Sequence, residues 1–202
     1  SAIKVESHSI LELEDTTVQN NGHGSQNNDA IVLSENSKID IVDSIITHDY
    51  GNTISAWGGN NHVEIENSDV TSNYSDNHKG NAINMNGGIL EFQGNSSDKI
   101  NLNAVGHPIY SDSGAEIKMR SNINFYSETD YEDIKLNESK LILDSDELLI
   151  KNLYLGDDSK LFFYKTYSSE VVTNLNCSPG IYQSGIQLYR PGIVHLNNND
   201  ET

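Results

Sequence analysis

Residues 82–92 read AINMNGGILEF, which is two short alternating apolar and polar runs on either side of a Gly-Gly pair. In the first run, Ile83 and Met85 are separated by an asparagine. In the second run, Leu90 and Phe92 are separated by a glutamate. Alternation with a period of two is typical of strands with one buried face, and glycine favours a bend between them. The stretch therefore predicts two short strands that meet at a corner.

Both pairs recur along the chain at intervals of 20–28 residues between second-strand pairs. The second-strand pairs are Leu11/Leu13, Ile39/Ile41, Val63/Ile65, Leu90/Phe92, Ile117/Met119, Leu141/Leu143 and Leu161/Phe163. The first-strand pairs, seven to nine residues earlier, are Ile3/Val5, Ile31/Leu33, Ile54/Ala56, Ile83/Met85, Ile109/Ser111, Ile134/Leu136 and Leu153/Leu155. Repeats of this length are the signature of stacked architectures in which each unit packs on its neighbours.

A third column of apolar residues follows the second strands, at Val18, Ile45, Val70, Ile100, Ile123 and Leu148. The sequence therefore predicts an all-β fold, a parallel β-helix (solenoid) of about seven to eight turns with three short strands per turn. Residues 1–163 form the regular turns of this prediction. Residues 164–202 form an irregular loop plus the last turn or a cap of the same domain. Within that segment 164–184 is the loop or cap, and Ile186, Leu188, Val194 and Leu196 form the eighth turn.

The composition limits the partners that the chain can have. The 202 residues carry a formal net charge of −18, which repels nucleic acid and anionic membrane surfaces. Cys177 is the only cysteine, so neither an intramolecular disulfide nor a cysteine-based metal site is expected. No run is long and apolar enough to span a bilayer as a helix, and no signal peptide is visible. We expect a mature or excised fragment without a cofactor.

The units 30–43, 53–67 and 82–94 resemble the passenger domains of bacterial autotransporters of the pertactin and self-associating adhesin type. They share an Ala-Ile-x-hydrophobic strand, a Gly or Ser/Asn bend, and an Ile-x-Ile strand that ends before a Ser-rich or Thr-rich turn. The resemblance covers about residues 2–163. It implies a right-handed β-helix that is exported to the bacterial outer-membrane surface or secreted after cleavage. Cys177 is a small departure, because members of the family mostly lack cysteine.

The same resemblance implies how such a chain would meet a membrane. Passenger domains of this family are attached through a C-terminal membrane β-barrel, and no such barrel is present in this sequence. The chain is therefore expected to be a passenger fragment, with membrane association only through that absent barrel.

The candidate binding residues lie on the outside of the predicted coil. Trp57 follows the inward pair Ile54 and Ala56, so we expect it to point outward beside two glycines. It is either an anchor for a partner or a ring folded over the corner to shield the core. Polar loops on a rigid scaffold commonly carry recognition, although they can also be simple slack. The other candidates lie in or near the polar loops that connect the predicted strands: Tyr50, Tyr74, Asp76, His78, Lys79 and Tyr110.

Two further patterns involve charged residues. An acidic column, Glu12, Asp40, Glu64 and Glu91, occupies the outward position of successive second strands and is followed by Lys118 and Ile142. It is either a solvated face or a surface for a cation or a basic partner, and no dedicated metal site is expected. The histidines His23, His48, His78 and His107 precede first strands at unequal offsets. We interpret them as exposed polar loop residues.

No catalytic motif is present: the sequence contains neither a Gly-x-Ser-x-Gly elbow nor a Walker-type loop, and Arg120 and Arg190 are its only arginines. We expect Arg120 to form a surface ion pair, and we expect no catalysis. The preferred hypothesis is an adhesin or virulence factor that binds a host-cell surface receptor or a matrix or glycan partner. The alternatives are self-association between bacterial cells and a glycan-cleaving β-helix enzyme.

Overall fold

The computed structural model describes residues 1–20, 29–74, 80–94, 99–128, 131–165, 167, 171–177 and 185–188. These residues form an all-β solenoid of parallel strands, without helices, in three sheets. The first sheet contains β1 (Ile3–Val5), β4 (Ile31–Leu33), β7 (Ile54–Trp57), β10 (Ile83–Asn86), β13 (Ile109–Ser111), β16 (Ile134–Leu136), β18 (Ile150–Leu155) and β20 (Val172–Cys177).

The chain passes from the first sheet to the second and then to the third. The second sheet contains β2 (Ile10–Glu14), β5 (Lys38–Val42), β8 (His62–Glu66), β11 (Ile89–Gln93), β14 (Glu116–Met119), β17 (Lys140–Leu143), β19 (Lys160–Phe163) and β21 (Gly185–Leu188). The third contains β3 (Thr17–Asn20), β6 (Ile45–His48), β9 (Asp69–Ser72), β12 (Lys99–Ala104) and β15 (Asn122–Tyr126). The predicted three-strand turn is therefore complete in the first five turns.

The register of the first two sheets confirms the predicted pairs. In the first sheet Ile83 lies between Ile54 and Ile109, and in the second sheet Leu90 lies between Val63 and Ile117. These six side chains are fully buried, because each stacks on the equivalent residue of the turns before and after it. Backbone hydrogen bonds between the parallel strands satisfy the polar main chain of this narrow core.

The third column was predicted incorrectly at several positions. Ile45 is 47% exposed, and Ile46 takes its place between Val18 and Val70. The reason lies at the preceding residue, Ser44. Its buried hydroxyl donates to the carbonyl oxygen of Val42, the last residue of β5, at 2.7 Å. Since side chains alternate along a strand, Ile45 then points outward.

Later in the third sheet, the column that begins at Val18 continues through Leu102 and Phe125. Ile100 and Ile123, which were predicted to belong to this column, are buried but lie two residues before it in their strands. Leu148 is buried but lies outside any strand.

Near the C-terminal end, β20 lies inside 164–184, a stretch that the sequence did not predict to contain a strand. It pairs with β18, so Leu175 continues the column of Leu153. In β21, Ile186 and Leu188 are in register with Leu161 and Phe163 of the second sheet. Val194 and Leu196 lie outside the described residues.

The corner between the first and second sheets has the same backbone conformation in all seven turns in which the structure describes it. The residue two positions before each of β2, β5, β8, β11, β14, β17 and β19 has a positive φ, between 49° and 89°. These residues are His8, Asn36, Asn60, Gly87, Gly114, Glu138 and Asp158. Left-handed conformations are sterically costly for most residues and least so for glycine and asparagine. The corner is therefore tight, and its geometry does not depend on one residue type.

The connection from the third sheet back to the first is held by polar side chains instead. The Oδ1 atoms of Asp29, Asn52 and Asn81 accept the backbone N–H groups of Asn52, Asn81 and His107, at 2.9–3.0 Å. We call this row, Asp29–Asn52–Asn81–His107, the amide ladder. The ring of His107 continues it, with Nδ1 at 3.0 Å from the carbonyl oxygen of Glu132.

The interpretation of the histidines as exposed loop residues is wrong for two of them. His48 is fully buried at the end of β6, with Nδ1 at 3.0 Å from the carbonyl oxygen of Asn20. His107 is buried within the amide ladder. His23 and His78 lie outside the described residues.

Candidate functional site

An open groove of about 810 Å³ follows the corner between the first and second sheets. Four successive turns contribute to it. Its lining, which we call the corner groove, consists of residues 58–62, 86–89 and 113–116 with Glu138 and Lys140. The groove therefore runs along the axis of the coil rather than around it.

Five of the fifteen residues that line the groove are glycines. Gly58, Gly87, Gly88 and Gly114 have φ values between 66° and 90°, a region that favours glycine. A Cβ atom on Gly88 would also lie 2.3 Å from the carbonyl oxygen of Asn61, so the close stacking of two turns requires glycine there. At these positions the groove is lined by backbone atoms rather than by side chains.

Gly59 differs from these glycines. Its φ lies outside the left-handed region, and a Cβ atom added to it would have no neighbour within 4 Å. Neither conformation nor close packing requires glycine at this position. A side chain at residue 59 would instead occupy open space in the groove.

Asn61 fixes the turn that forms one end of the groove. Its buried side chain donates from Nδ2 to the carbonyl oxygens of Trp57 and Gly58, at 3.0 and 3.2 Å. Its Oδ1 accepts the backbone N–H of Ser37 from the preceding turn at 3.1 Å. Buried amides with all partners in place hold a backbone rigidly. The residues next to Asn61 are thus preorganised.

Trp57 ends β7 directly before Gly58, and its side chain is 48% exposed. It is the register neighbour of Asn86, which lines the corner groove. Ile54 and Ala56, the inward residues of the same strand, are buried. Trp57 thus lies next to the groove, with its half-exposed side chain in the same outward column as the lining residue Asn86.

The opposite side of the groove is formed by the first residues of second-sheet strands, among them His62, Glu116 and Lys140. Glu116 has two cationic neighbours: Lys118 Nζ lies 3.0 Å from Oε1, and Lys140 Nζ lies 3.8 Å from Oε2. These lysines compensate the carboxylate. This side of the groove is polar and carries little uncompensated charge.

The acidic column is in the predicted register, but most of its carboxylates have cationic partners. Lys38 Nζ lies 2.9 Å from Asp40 and 3.3 Å from Glu64, and the hydrogen bond to Asp40 raises the pKa of this lysine. Glu91 is buried and is paired with Arg120. No group of three or more His, Cys, Asp and Glu side chains in the described part of the chain is arranged to hold a metal ion.

The predicted tyrosines fall into two separate places. The rings of Tyr50 and Tyr74 meet in the connections that follow the third sheet, with centroids 6.2 Å apart. Tyr110 lies on the outer face of the first sheet, next to Asn84, the residue in register with it in the preceding turn. Neither place belongs to the corner groove. Asp76, His78 and Lys79 lie outside the described residues.

A cluster around Tyr110 was missed by the sequence reasoning. The ring of His107 stacks on Tyr110 at 5.8 Å and meets Tyr131 edge-on at 5.2 Å. In the next two turns Lys135 and Tyr154 follow Tyr110 in register, and the Lys135 ammonium lies 5.4 Å from the Tyr154 ring centroid. The repeat period could have found this row, because all three residues occupy the same outward position between two inward residues.

Comparison with protein families, with curated protein sequences and with solved structures gave no match for this chain. No helix among the described residues is long and apolar enough to cross a membrane.

Proposed function

We propose that the chain is a non-catalytic binding module that uses the corner groove and Trp57 to hold a partner on a host-cell surface. The observation that carries this proposal is the half-exposed indole of Trp57 next to an open groove that is rich in glycine. Aromatic rings at the edge of a preformed concavity are the usual energetic anchors of binding sites. Rigid support from Asn61 reduces the entropy that binding would cost.

Binding rather than catalysis is favoured by the charges around the groove. Glycan-cleaving enzymes use two carboxyl groups that flank the bond to be cleaved. In the corner groove, Glu116 is compensated by two lysines, and the nearby Glu91 is buried against Arg120. In the described part of the chain, this leaves Glu138 as the one lining carboxylate without a cationic partner, and a single such group does not make the pair that this chemistry needs.

The biological setting of the proposal is a passenger of a bacterial autotransporter, at the outer-membrane surface or secreted after cleavage. Two observations support it: the parallel β-solenoid and the resemblance of the repeat units to such passengers. In this setting the partner is a host-cell surface protein or glycan, and the chain acts as an adhesin or a released virulence factor.

Replacing Trp57 with alanine tests the proposal. We expect binding of the labelled protein to host cells, measured by flow cytometry, to weaken at least tenfold, because the aromatic anchor is lost. Tyr126→Ala is the matched control, since Tyr126 is a 65% exposed aromatic residue at the end of a third-sheet strand. Equal binding by the Trp57→Ala variant and the wild-type protein would refute the proposal, provided that both have the same circular dichroism spectrum.

A further inference from the structure

We infer that the corner groove binds a neutral saccharide chain that lies along the axis of the coil. This inference rests on the proposed function and names the chemical class of the partner. It starts from the shape of the groove. Neighbouring parallel strands are ~4.8 Å apart, so four turns give a groove about 14 Å long. An elongated, open floor suits a linear ligand better than a compact one.

The chemistry of the groove fits hydroxyl-rich ligands. Ser113 donates to Asn86 Oδ1 at 2.7 Å, and Asn60 Nδ2 donates to Asn36 Oδ1 at 3.1 Å. In the described part of the chain, Asn86 Nδ2 and Asn60 Oδ1 form no hydrogen bond, so one donor and one acceptor remain available. Sugar hydroxyls satisfy both roles, because each can donate and accept. The Trp57 ring offers a flat apolar surface for the faces of sugar rings.

Charge selects neutral saccharides over acidic ones. The net charge of −18 repels a ligand that carries carboxylates or sulfates. Around the groove, Lys118 and Lys140 balance the carboxylates of Glu116 and Glu138, so this side of the groove has no net positive charge to attract an anion. A neutral chain avoids the repulsion and needs only the hydrogen bonds and the aromatic surface.

The strand pairing disfavours an extended peptide as the occupant. Peptides commonly bind β proteins by adding a strand to an open sheet edge. The strands beside the groove have no open edge, since β7, β10 and β13 are each paired on both sides in the first sheet. In the second sheet β8, β11 and β14 are likewise paired on both sides.

Gly59 supports the same inference independently of Trp57. Since neither a left-handed φ nor a close neighbour requires glycine there, its effect on the structure is to keep the groove open. A glutamine at this position would project into the groove without disturbing the backbone, whereas alanine would occupy little of it. Gly59→Gln and Gly59→Ala therefore form a graded pair of variants.

The experiment uses a printed array of neutral and acidic host-type oligosaccharides, followed by titration of the positive compounds. Trp57 is the only tryptophan in the chain, so its fluorescence reports directly on the groove. We expect at least one neutral oligosaccharide to bind and to shift this fluorescence. Gly59→Gln should weaken that binding at least tenfold, Gly59→Ala should weaken it less than Gly59→Gln does, and Tyr126→Ala, outside the groove, should change it less than threefold. Binding only of acidic oligosaccharides, equal binding by Gly59→Gln, or an array without any bound neutral compound would overturn the inference.

A cell-based arm separates this inference from the proposed function. Host cells are treated with glycosidases that remove neutral and acidic glycans, or left untreated, before the labelled protein is added. If binding depends on Trp57 but survives the glycosidases, the proposed function stands and the saccharide inference is wrong, with a protein surface as the partner. If untreated cells do not bind the protein at all, the proposed function fails, and the array alone decides the inference.

Discussion

The chain changes direction by different means at two corners of the coil. The corner between the first and second sheets repeats one left-handed backbone position in seven turns, although that position is histidine, asparagine, glycine, glutamate or aspartate. The connection from the third sheet to the first varies from four residues (105–108) to ten residues (21–30). It is held by the amide ladder rather than by a fixed backbone conformation.

The difference explains where a binding surface can form. In the connection with the amide ladder, the polar side chains are engaged in hydrogen bonds that join one turn to the next. In the corner with the fixed conformation, the left-handed residue makes the turn whatever its side chain, and the supporting hydrogen bonds come from the residue after it, as at Asn61. Where glycines occupy this corner, no side chains fill the space outside it, and the corner forms a groove.

Gly88→Ala should have the largest effect on stability, because it places a side chain inside the tight corner. The added Cβ atom would lie 2.3 Å from the carbonyl oxygen of Asn61, at a φ of 82°. We expect a loss of about 3 kcal/mol in the free energy of unfolding, measured by urea denaturation. Gly59→Ala is the matched control and should lie within about 1 kcal/mol of the wild-type protein or be slightly more stable. Equal losses from both variants would show that the two glycines are equivalent.

Asn81→Ala should have an intermediate effect, because it breaks the amide ladder. The variant leaves the backbone N–H of His107 without its acceptor, and that group lies in a largely buried connection. We expect a loss of about 2 kcal/mol in the free energy of unfolding. The control is Asn73→Ala, which removes an exposed amide that bonds to Asp49, and it should cost less than about 0.5 kcal/mol. If both variants cost the same, the ladder contributes nothing beyond an exposed hydrogen bond.

The smallest effect should come from acidification near the ladder. Burial lowers the pKa of His107 from its ordinary value of 6.5, and Lys135 acts in the same direction while Glu132 opposes it. Below pH 6.5 the unfolded chain takes up a proton at this histidine that the folded chain does not. Stability is therefore fully present above that pH and falls as the pH drops through 6.5 toward the folded value.

Melting temperatures between pH 7.5 and 5.5 measure this loss, which should appear as a decrease toward pH 5.5. The His107→Gln variant keeps the backbone N–H but cannot titrate, so its melting temperature should change less over this range. An identical pH dependence in the variant would assign the effect to other groups.

The inward pairs and their register could be predicted from sequence because a repeat imposes the same alternation on every turn. Prediction failed at Ile45, since two adjacent isoleucines satisfy the pattern equally well and the buried Ser44 decides between them. It failed at His48 because a histidine in a connection and a histidine at the inward end of a strand look the same in sequence. Trp57 was predictable as an outward residue from its place after Ala56.

The corner groove and the amide ladder could not be predicted for a different reason. Both depend on how residues 20–30 positions apart meet across neighbouring turns. Asn61 is an ordinary turn residue in the sequence, and only stacking places its side chain beneath Trp57 and against Ser37. The empty space above Gly59 likewise has no sequence signal, because a glycine required by conformation and one that leaves room look the same.

The strand order in the first two sheets means that each turn touches only the turn before it and the turn after it. The stability of such an array is a sum over units and their interfaces, and folding can propagate from one ordered unit to the next. The groove occupies the third to sixth turns, where every unit has a folded neighbour on both sides. The two interfaces of each of these turns therefore offset the conformational entropy that its glycines lose on folding.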